Sequence, residues 1–201
     1  NDFRNIDPSK AKIILIEAGS RVLAAFEQDL SQKALENLEN LGVKVLLNTR
    51  VSGMDERKVI TDKSEFFSRT KIWAAGVKPS ITGKFLKDAD VEIELDASGR
   101  VKVTPELNLK KYPNIFVLGD QAHFSESSGR GLPGVATVAI QQGGFAAQNV
   151  VRFLKGESLR AFSYWDKGTM ATIGRKQAVL QSGKLKMTGF LAWVAWLLVH
   201  I

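Results

Sequence analysis

The stretch Lys12-Ile13-Ile14-Leu15-Ile16-Glu17-Ala18-Gly19 decides the fold. A short, continuous apolar run closed by an acid predicts a strand buried on both faces, as in a parallel sheet. Gly19 follows as a turn. From Asp29 to Asn40 the apolar residues Leu30, Ala34, Leu35, Leu38 and then Leu41 fall at helical spacing, and Gly42 closes the helix. Val43 to Leu47 reads as another buried strand. Strand, helix and strand within about 35 residues make half of a doubly wound α/β unit.

Further along, Lys58 to Thr61, Glu65 to Phe67 and Thr70 to Trp73 read as short strands of a meander, and Ala74-Ala75-Gly76-Val77 places small residues after them. Beyond Pro79 the texture changes. Val91 to Leu95 and Val101 to Thr104 alternate around Asp96-Ala97-Ser98-Gly99, which signals a hairpin. After the turn Tyr112-Pro113-Asn114, Ile115-Phe116-Val117-Leu118 reads as a third buried strand ending in Gly119-Asp120. A polar, Gly-rich loop runs from Ser125 to Pro133. A long helix is expected from Gly134 to about Leu154, with small residues Ala136, Ala139, Gly143, Ala146 and Ala147 along it.

The chain has 201 residues, 44% of them hydrophobic and 24% charged, so it can build a real core. It has no cysteine, which removes a disulfide framework and a thiolate metal site. Its two histidines, His123 and His200, are too far apart for a metal pair, so no metal is expected. No cationic-then-apolar leader stands at the amino end. The formal charge of +7 points to an anionic partner.

The tail narrows that choice. No acid follows Asp166, whereas Lys167, Arg175, Lys176, Lys184 and Lys186 do, and the chain finishes in an apolar run from Phe190 to Ile201 that holds Trp193 and Trp196. About a dozen residues are too few to span a bilayer. Cations beside an apolar, Trp-bearing helix fit a membrane surface; a helix buried in a core or a dimer is the plainer reading. Nucleic acid is not expected, because the cations adjoin an apolar face and not base-stacking aromatics.

Six blocks, taken together, carry a resemblance. They are Ile14-Leu15-Ile16-Glu17-Ala18-Gly19, Trp73-Ala74-Ala75-Gly76-Val77, Ile115-Phe116-Val117-Leu118-Gly119-Asp120, Leu132-Pro133-Gly134-Val135-Ala136, Ala139-Ile140-Gln141-Gln142-Gly143 and Lys167-Gly168-Thr169-Met170-Ala171-Thr172-Ile173-Gly174. In order and spacing the chain resembles bacterial type II NADH:quinone oxidoreductases, of the wider FAD- and NAD-linked pyridine nucleotide reductase superfamily. The resemblance implies a Rossmann-like, doubly wound flavoprotein fold, partial here, with two dinucleotide-binding domains and a membrane-binding carboxyl-terminal segment. On that pattern residues 1–80 belong to the NADH-binding domain, 81–156 to the returning part of the FAD-binding domain and 157–201 to the membrane-anchoring tail. The family's two strand–turn–helix phosphate cradles of the G-x-G-x-x-G type are not expected in this chain. It therefore reads as part of a longer product, inactive alone and weak in FAD binding.

The implied activity passes electrons from NADH through FAD to a membrane quinone without proton pumping, at the cytoplasmic face of the bacterial inner membrane. A sister flavoprotein reductase of the sulfide:quinone or ferredoxin type, or a non-enzymatic membrane-binding remnant, is the alternative, and a homodimer is left open. Glu17, at a strand end, is suited to accept hydrogen bonds from both ribose hydroxyls of NADH and to repel a 2′-phosphate. Ala75 and Gly76 would let the dinucleotide lie against the backbone. For FAD the resemblance implies Asp120 on the ribityl chain, with Gly119 beside it, the helix start at Gly134, Val135 and Ala136, and Lys167. For quinone it implies Gln141, with Thr137 one turn earlier, where family members often carry glutamine.

Overall fold

The computed structural model describes residues 7, 10–126, 129 and 131–200, with the side chain of His200 excepted. Two compact units divide the chain: residues 1–73 with 166–201, and residues 74–165.

In the first unit the expected strand–helix–strand is present. Strands β1 (Ile13–Ile16) and β2 (Val43–Leu46) pair in parallel, in register Ile13 with Val43. Helix α1 (Gln28–Asn40) connects them, and Gly42, at φ +83°, donates its N–H to the Glu39 carbonyl and ends it. Strands β3 (Val51–Met54), β4 (Lys58–Thr61) and β5 (Glu65–Phe67) form an antiparallel meander. The expected strand Thr70–Trp73 does not form. Val51–Met54 takes the third place because Asp55 closes the β3–β4 turn, its Oδ1 accepting the N–H groups of Arg57 and Lys58.

The first unit also holds a sheet that the sequence did not announce, ahead of the expected apolar helix. Strands β8 (Thr169–Thr172), β9 (Ala178–Ser182) and β10 (Leu185–Thr188) make a second antiparallel sheet, followed by helix α4 (Gly189–His200). Ile173 and Val179 from this part share a core with Val22, Phe26, Leu30 and Ala34 from around α1. Polar bonds fasten the same seam. The Gln181 amide oxygen accepts the N–H of Glu27 at 2.9 Å, and the Lys186 ammonium lies 2.6 Å from Glu27 and 2.9 Å from Asp29.

The second unit is built on helices α2 (Thr82–Ala89) and α3 (Ala136–Leu154), with a short parallel pair, β6 (Val101–Lys102) and β7 (Ala122–His123). Helix α3 starts two residues later than expected, because Val135 keeps an extended backbone. The hairpin tip exists: the Asp96 N–H reaches the Arg100 carbonyl at 2.8 Å, and Gly99 sits at φ +94°. Val91–Leu95 is not a strand, and its arm is reduced to one bridge between Leu95 and Val101. Ile115–Leu118 is likewise not a regular strand. Its backbone bonds go to the turn at Leu107–Leu109, through one bridge between Asn108 and Phe116, so its hydrogen bonding is local and no ladder propagates. Val117 is still buried, packing with Ile93, Val101, Leu109 and Ala122. Around α3 a second core gathers Leu107, Phe124, Leu132, Val138, Ala146 and Phe162.

Two carboxylates brace this unit. The Lys111 ammonium and then the Tyr112 hydroxyl hold Asp90 down at about 2. Burial opposes ionisation of Asp96, but hydrogen bonds from Ser98 and Arg100 outweigh it and hold the group below the usual range. Both groups are more acidic folded than their unfolded value of about 3.9, so the stability they add is present above about pH 4 and is lost as pH falls through their folded values, near 2 for Asp90 and lower for Asp96. Asp96→Asn should cost about 2 kcal/mol at neutral pH. In melts from pH 7 to pH 2 the gap between native and variant should narrow below about pH 4; a constant gap would refute it.

Candidate functional site

Glu17 follows directly on β1. Its backbone N–H donates to the Leu46 carbonyl at 2.9 Å, and its own carbonyl accepts the Thr49 N–H at 3.0 Å, so its place is set by the parallel pair. The half-buried side chain folds over the next turn: Oε1 accepts the Gly19 N–H at 2.7 Å. A Cβ on Gly19 would stand 3.1 Å from that oxygen, so a glycine keeps this arrangement open. One carboxylate oxygen orders the loop while the other is available to a ligand hydroxyl. A cavity of about 410 Å³ adjoins this turn, lined by Ser20, Arg21 and Val22 and by the α1 side chains Gln28, Ser31, Gln32 and Leu35, with Leu47.

Ala75 and Gly76 belong to the second unit and lie exposed, outside any strand or helix. Gly76 takes φ +74°, and no atom lies within 4 Å of where its Cβ would stand. Lys167 is exposed and belongs to the first unit.

The other expected residues gather at the start of α3. Gly119, Asp120 and Gln121 form one turn of 3-10 helix, with Gly119 at φ +60°. A Cβ on Gly119 would meet that of Ala139 at 3.1 Å, and a Cβ on Gly134 would stand 2.9 Å from the Asp120 Oδ1. Asp120 therefore lies against the backbone just before α3, where any side chain at 134 would displace it. No side-chain cap comes from Val135, and no acid occupies the first turn of α3, so the leading amides of Ala136 and Thr137 keep the positive end of the helix dipole open. The approach loop is braced by Arg100, whose Nη1 donates to the Leu132 carbonyl at 3.3 Å and whose Nε donates to Asp96 at 2.7 Å. His123 joins that network through Nδ1, 3.1 Å from Asp96, and Nε2, 3.1 Å from Ser125. No group of three or more metal-capable side chains occurs among the described residues.

The expected absence of a G-x-G-x-x-G needs correction. Gly129-Arg130-Gly131-Leu132-Pro133-Gly134 has that spacing. Its setting is different from a dinucleotide cradle, which follows a buried strand. Here the string follows the two-residue β7 and a loop in which Ser125 bridges Gly131; Arg130 lies outside the described residues.

Gln141 and Thr137 do share a face of α3, and both reach one strap. The Gln141 Nε2 donates to the Trp165 carbonyl at 2.9 Å, and its Oε1 accepts the Trp165 N–H at 3.0 Å. Thr137 Oγ1 lies 3.1 Å from the Tyr164 hydroxyl. This pair of hydrogen bonds to one backbone residue fixes which end of the amide is nitrogen and leaves the second N–H of Nε2 for another acceptor. Gln142, which the sequence reading did not single out, is 1% exposed and its Oε1 accepts the Gly119 N–H at 2.7 Å. The only sequence signal for it was a glutamine directly after Gln141, in a run from Val138 to Ala147 that is otherwise apolar or glycine.

Residues 6–143 match the family model described as pyridine nucleotide-disulphide oxidoreductase. The chain is 38% identical to the type II NADH:quinone oxidoreductase Ndh of Mycobacterium tuberculosis, over 99% of this chain and 43% of that protein. It is 32% identical to the type II NADH:quinone oxidoreductase of Staphylococcus aureus, over 87% of this chain and again 43% of the relative. The chain thus spans less than half the length of these relatives. Among solved structures, NDH2 from Plasmodium falciparum in complex with NADH superposes with a TM-score of 0.80 at 18% identity, covering 94% of this chain and 55% of that one. Water-forming NADH oxidase from Lactobacillus brevis, bound to NADH, gives 0.68 at 18% identity, with coverages of 87% and 38%. At such identities the likeness is one of fold.

Proposed function

The chain belongs to the pyridine nucleotide-disulphide oxidoreductase family, and from that premise we propose that it serves a type II NADH:quinone oxidoreductase that works through FAD. The observation that carries the reading is the Asp120 carboxylate set against Gly134 at the uncapped start of α3. An acceptor beside open amides fits a flavin, which needs a partner for ribityl hydroxyls and donors for its electron-accepting ring. Gly119, Asp120, Gly134, Val135, Ala136 and Lys167 are the residues assigned to hold it. Bound there, FAD supplies two-electron chemistry between a nicotinamide and a quinone. The α3 dipole favours negative charge at its amino end, which is the protein's contribution to the electron sink.

Glu17 is assigned to the NADH ribose, with Ala75 and Gly76 giving the dinucleotide close approach to the backbone. Glu17→Gln should keep the Gly19 contact only in part and narrow the preference for NADH over NADPH by about 1–2 kcal/mol. Steady-state kinetics with both cofactors check this; unchanged ratios would make Glu17 a turn-ordering acid alone.

Gln141 and Thr137 are assigned to quinone, the free N–H of Gln141 being the donor. The functional segments on this reading are 1–80 for NADH, 81–156 for FAD and 157–201 for a peripheral contact with the cytoplasmic face of the membrane. Electrons reach quinone without proton pumping. No described helix is long and apolar enough to cross a membrane.

Stopped-flow traces on the full-length protein loaded with FAD test the whole reading. Gln141→Leu should slow oxidation of the flavin by quinone about tenfold while leaving its reduction by NADH nearly intact. A loss shared equally by both half-reactions, or by neither, would sink the quinone assignment.

A further inference from the structure

We propose that Gln142 is the positioning residue that holds the flavin-contacting aspartate in place. The inference rests on the reading of Asp120 as a flavin contact. Gly119 immediately precedes Asp120, and with φ at +60° its backbone has the freedom only glycine has. Helix α3 removes that freedom from two successive turns. Ala139 closes against the Gly119 Cα side, where a Cβ would come within 3.1 Å. Gln142 then takes the Gly119 N–H at 2.7 Å from a side chain that is 1% exposed. The amino end of the same helix is preceded by Gly134, whose missing side chain leaves room for the Asp120 carboxylate. Helix α3 therefore sets the peptide entering Asp120, and the Gly134 turn that leads into the same helix sets the surface its carboxylate rests on, which is how supporting residues fix the geometry of a contacting one. The neighbouring Gln141 serves a different segment, the Trp165 backbone, so the two adjacent glutamines are not interchangeable.

An acceptor oxygen at this position is what the Gly119 N–H requires. Gln142→Met keeps the length and bulk and removes it. Gln142→Glu keeps it in either protonation state, since both a carboxylate and a neutral carboxyl carry an accepting oxygen. The test is FAD dissociation from the full-length protein, followed by flavin fluorescence, with the melting temperature of each apoprotein measured alongside and Asp120→Asn as a reference. Gln142→Met should weaken FAD binding about five- to tenfold, the equivalent of one lost hydrogen bond. Its apoprotein should melt close to native, and Gln142→Glu should bind FAD like the native protein. Native affinity in Gln142→Met, or equal losses in Gln142→Met and Gln142→Glu, would overturn the inference while Asp120→Asn still weakens FAD. Undiminished affinity in Asp120→Asn would instead remove the flavin reading on which it rests. Should Gln142→Met fail to fold, the glutamate variant decides: native affinity supports the role, weakened affinity refutes it.

Discussion

Gly168→Ala is expected to destabilise the unit formed by residues 1–73 and 166–201 by about 3–5 kcal/mol. Gly168 takes φ +93°, and a Cβ there would come within 2.7 Å of the Ser182 Cβ and 2.8 Å of the Ser182 Cα, besides striking the Gln181 carbonyl oxygen. Backbone cannot step aside as a side chain can, because Gln181 is already paired with Thr169 across the β8–β9 ladder. Gly183 supplies the control. It has φ +55° and nothing within 4 Å of its Cβ position, so Gly183→Ala should cost only about 1 kcal/mol from the left-handed backbone. Urea denaturation of both variants checks the pair. Equal and small losses would mean that the sheet yields, and that Gly168 is a simple turn residue beside Lys167.

The parts of this fold that were legible are those whose hydrogen bonds are specified locally. Ile13–Ile16, α1 and Val43–Leu46 read correctly as strand, helix and strand because an apolar run, a helical period and Gly42 each name one structure. The expected burial on both faces is not found: Ile13 and Ile14 are exposed, and Lys44 is exposed within β2. Ile115–Leu118 has the same composition, yet its backbone partners lie in the Leu107–Leu109 turn, and no pattern in the run itself reveals where its partners are. The three-stranded sheet of the tail was hidden for a related reason: its alternation is short, and its burial comes from contact with α1, about 150 residues away in sequence. At the candidate site the types of residue were legible and their engagements were not. Nothing in Gln141 or Gln142 as letters says that one would grip Trp165 and the other Gly119.

Leu191→Ser with Leu198→Ser should weaken binding to anionic vesicles by roughly 3 kcal/mol, about a hundredfold, with little change in melting temperature. The tail reading placed Trp193 and Trp196 in the lipid. In the structure both are partly buried, Trp193 stacks on Phe190 at 5.8 Å, and Ala192, just before Trp193, is fully buried. Leu191 and Leu198, two turns apart on one face, are 68% and 79% exposed, and they are the better candidates for the apolar contact. Lys186 is likewise committed to Glu27 and Asp29, whose hydrogen bonds raise its pKa. Salt should therefore weaken vesicle binding through the remaining tail cations and leave the leucine term standing. Cosedimentation at low and high salt, paired with a melt of the double variant, separates the outcomes. Unchanged vesicle binding would end the membrane assignment, and a collapse in melting temperature would place these leucines in the protein's own core.

Phe26 and Leu30 meet Ile173 and Val179 in a single core, and Lys186 straddles Glu27 and Asp29. The tail is consequently no interchangeable module. Trimming the chain before Thr169 would uncover the flank of α1, and transplanting a foreign tail would succeed only with a donor that brings its own lysine to those two acids. Descent should show the same bond: changes at Glu27 or Asp29 are expected to travel with changes at Gln181 and Lys186, so that the two ends of this chain evolve as one.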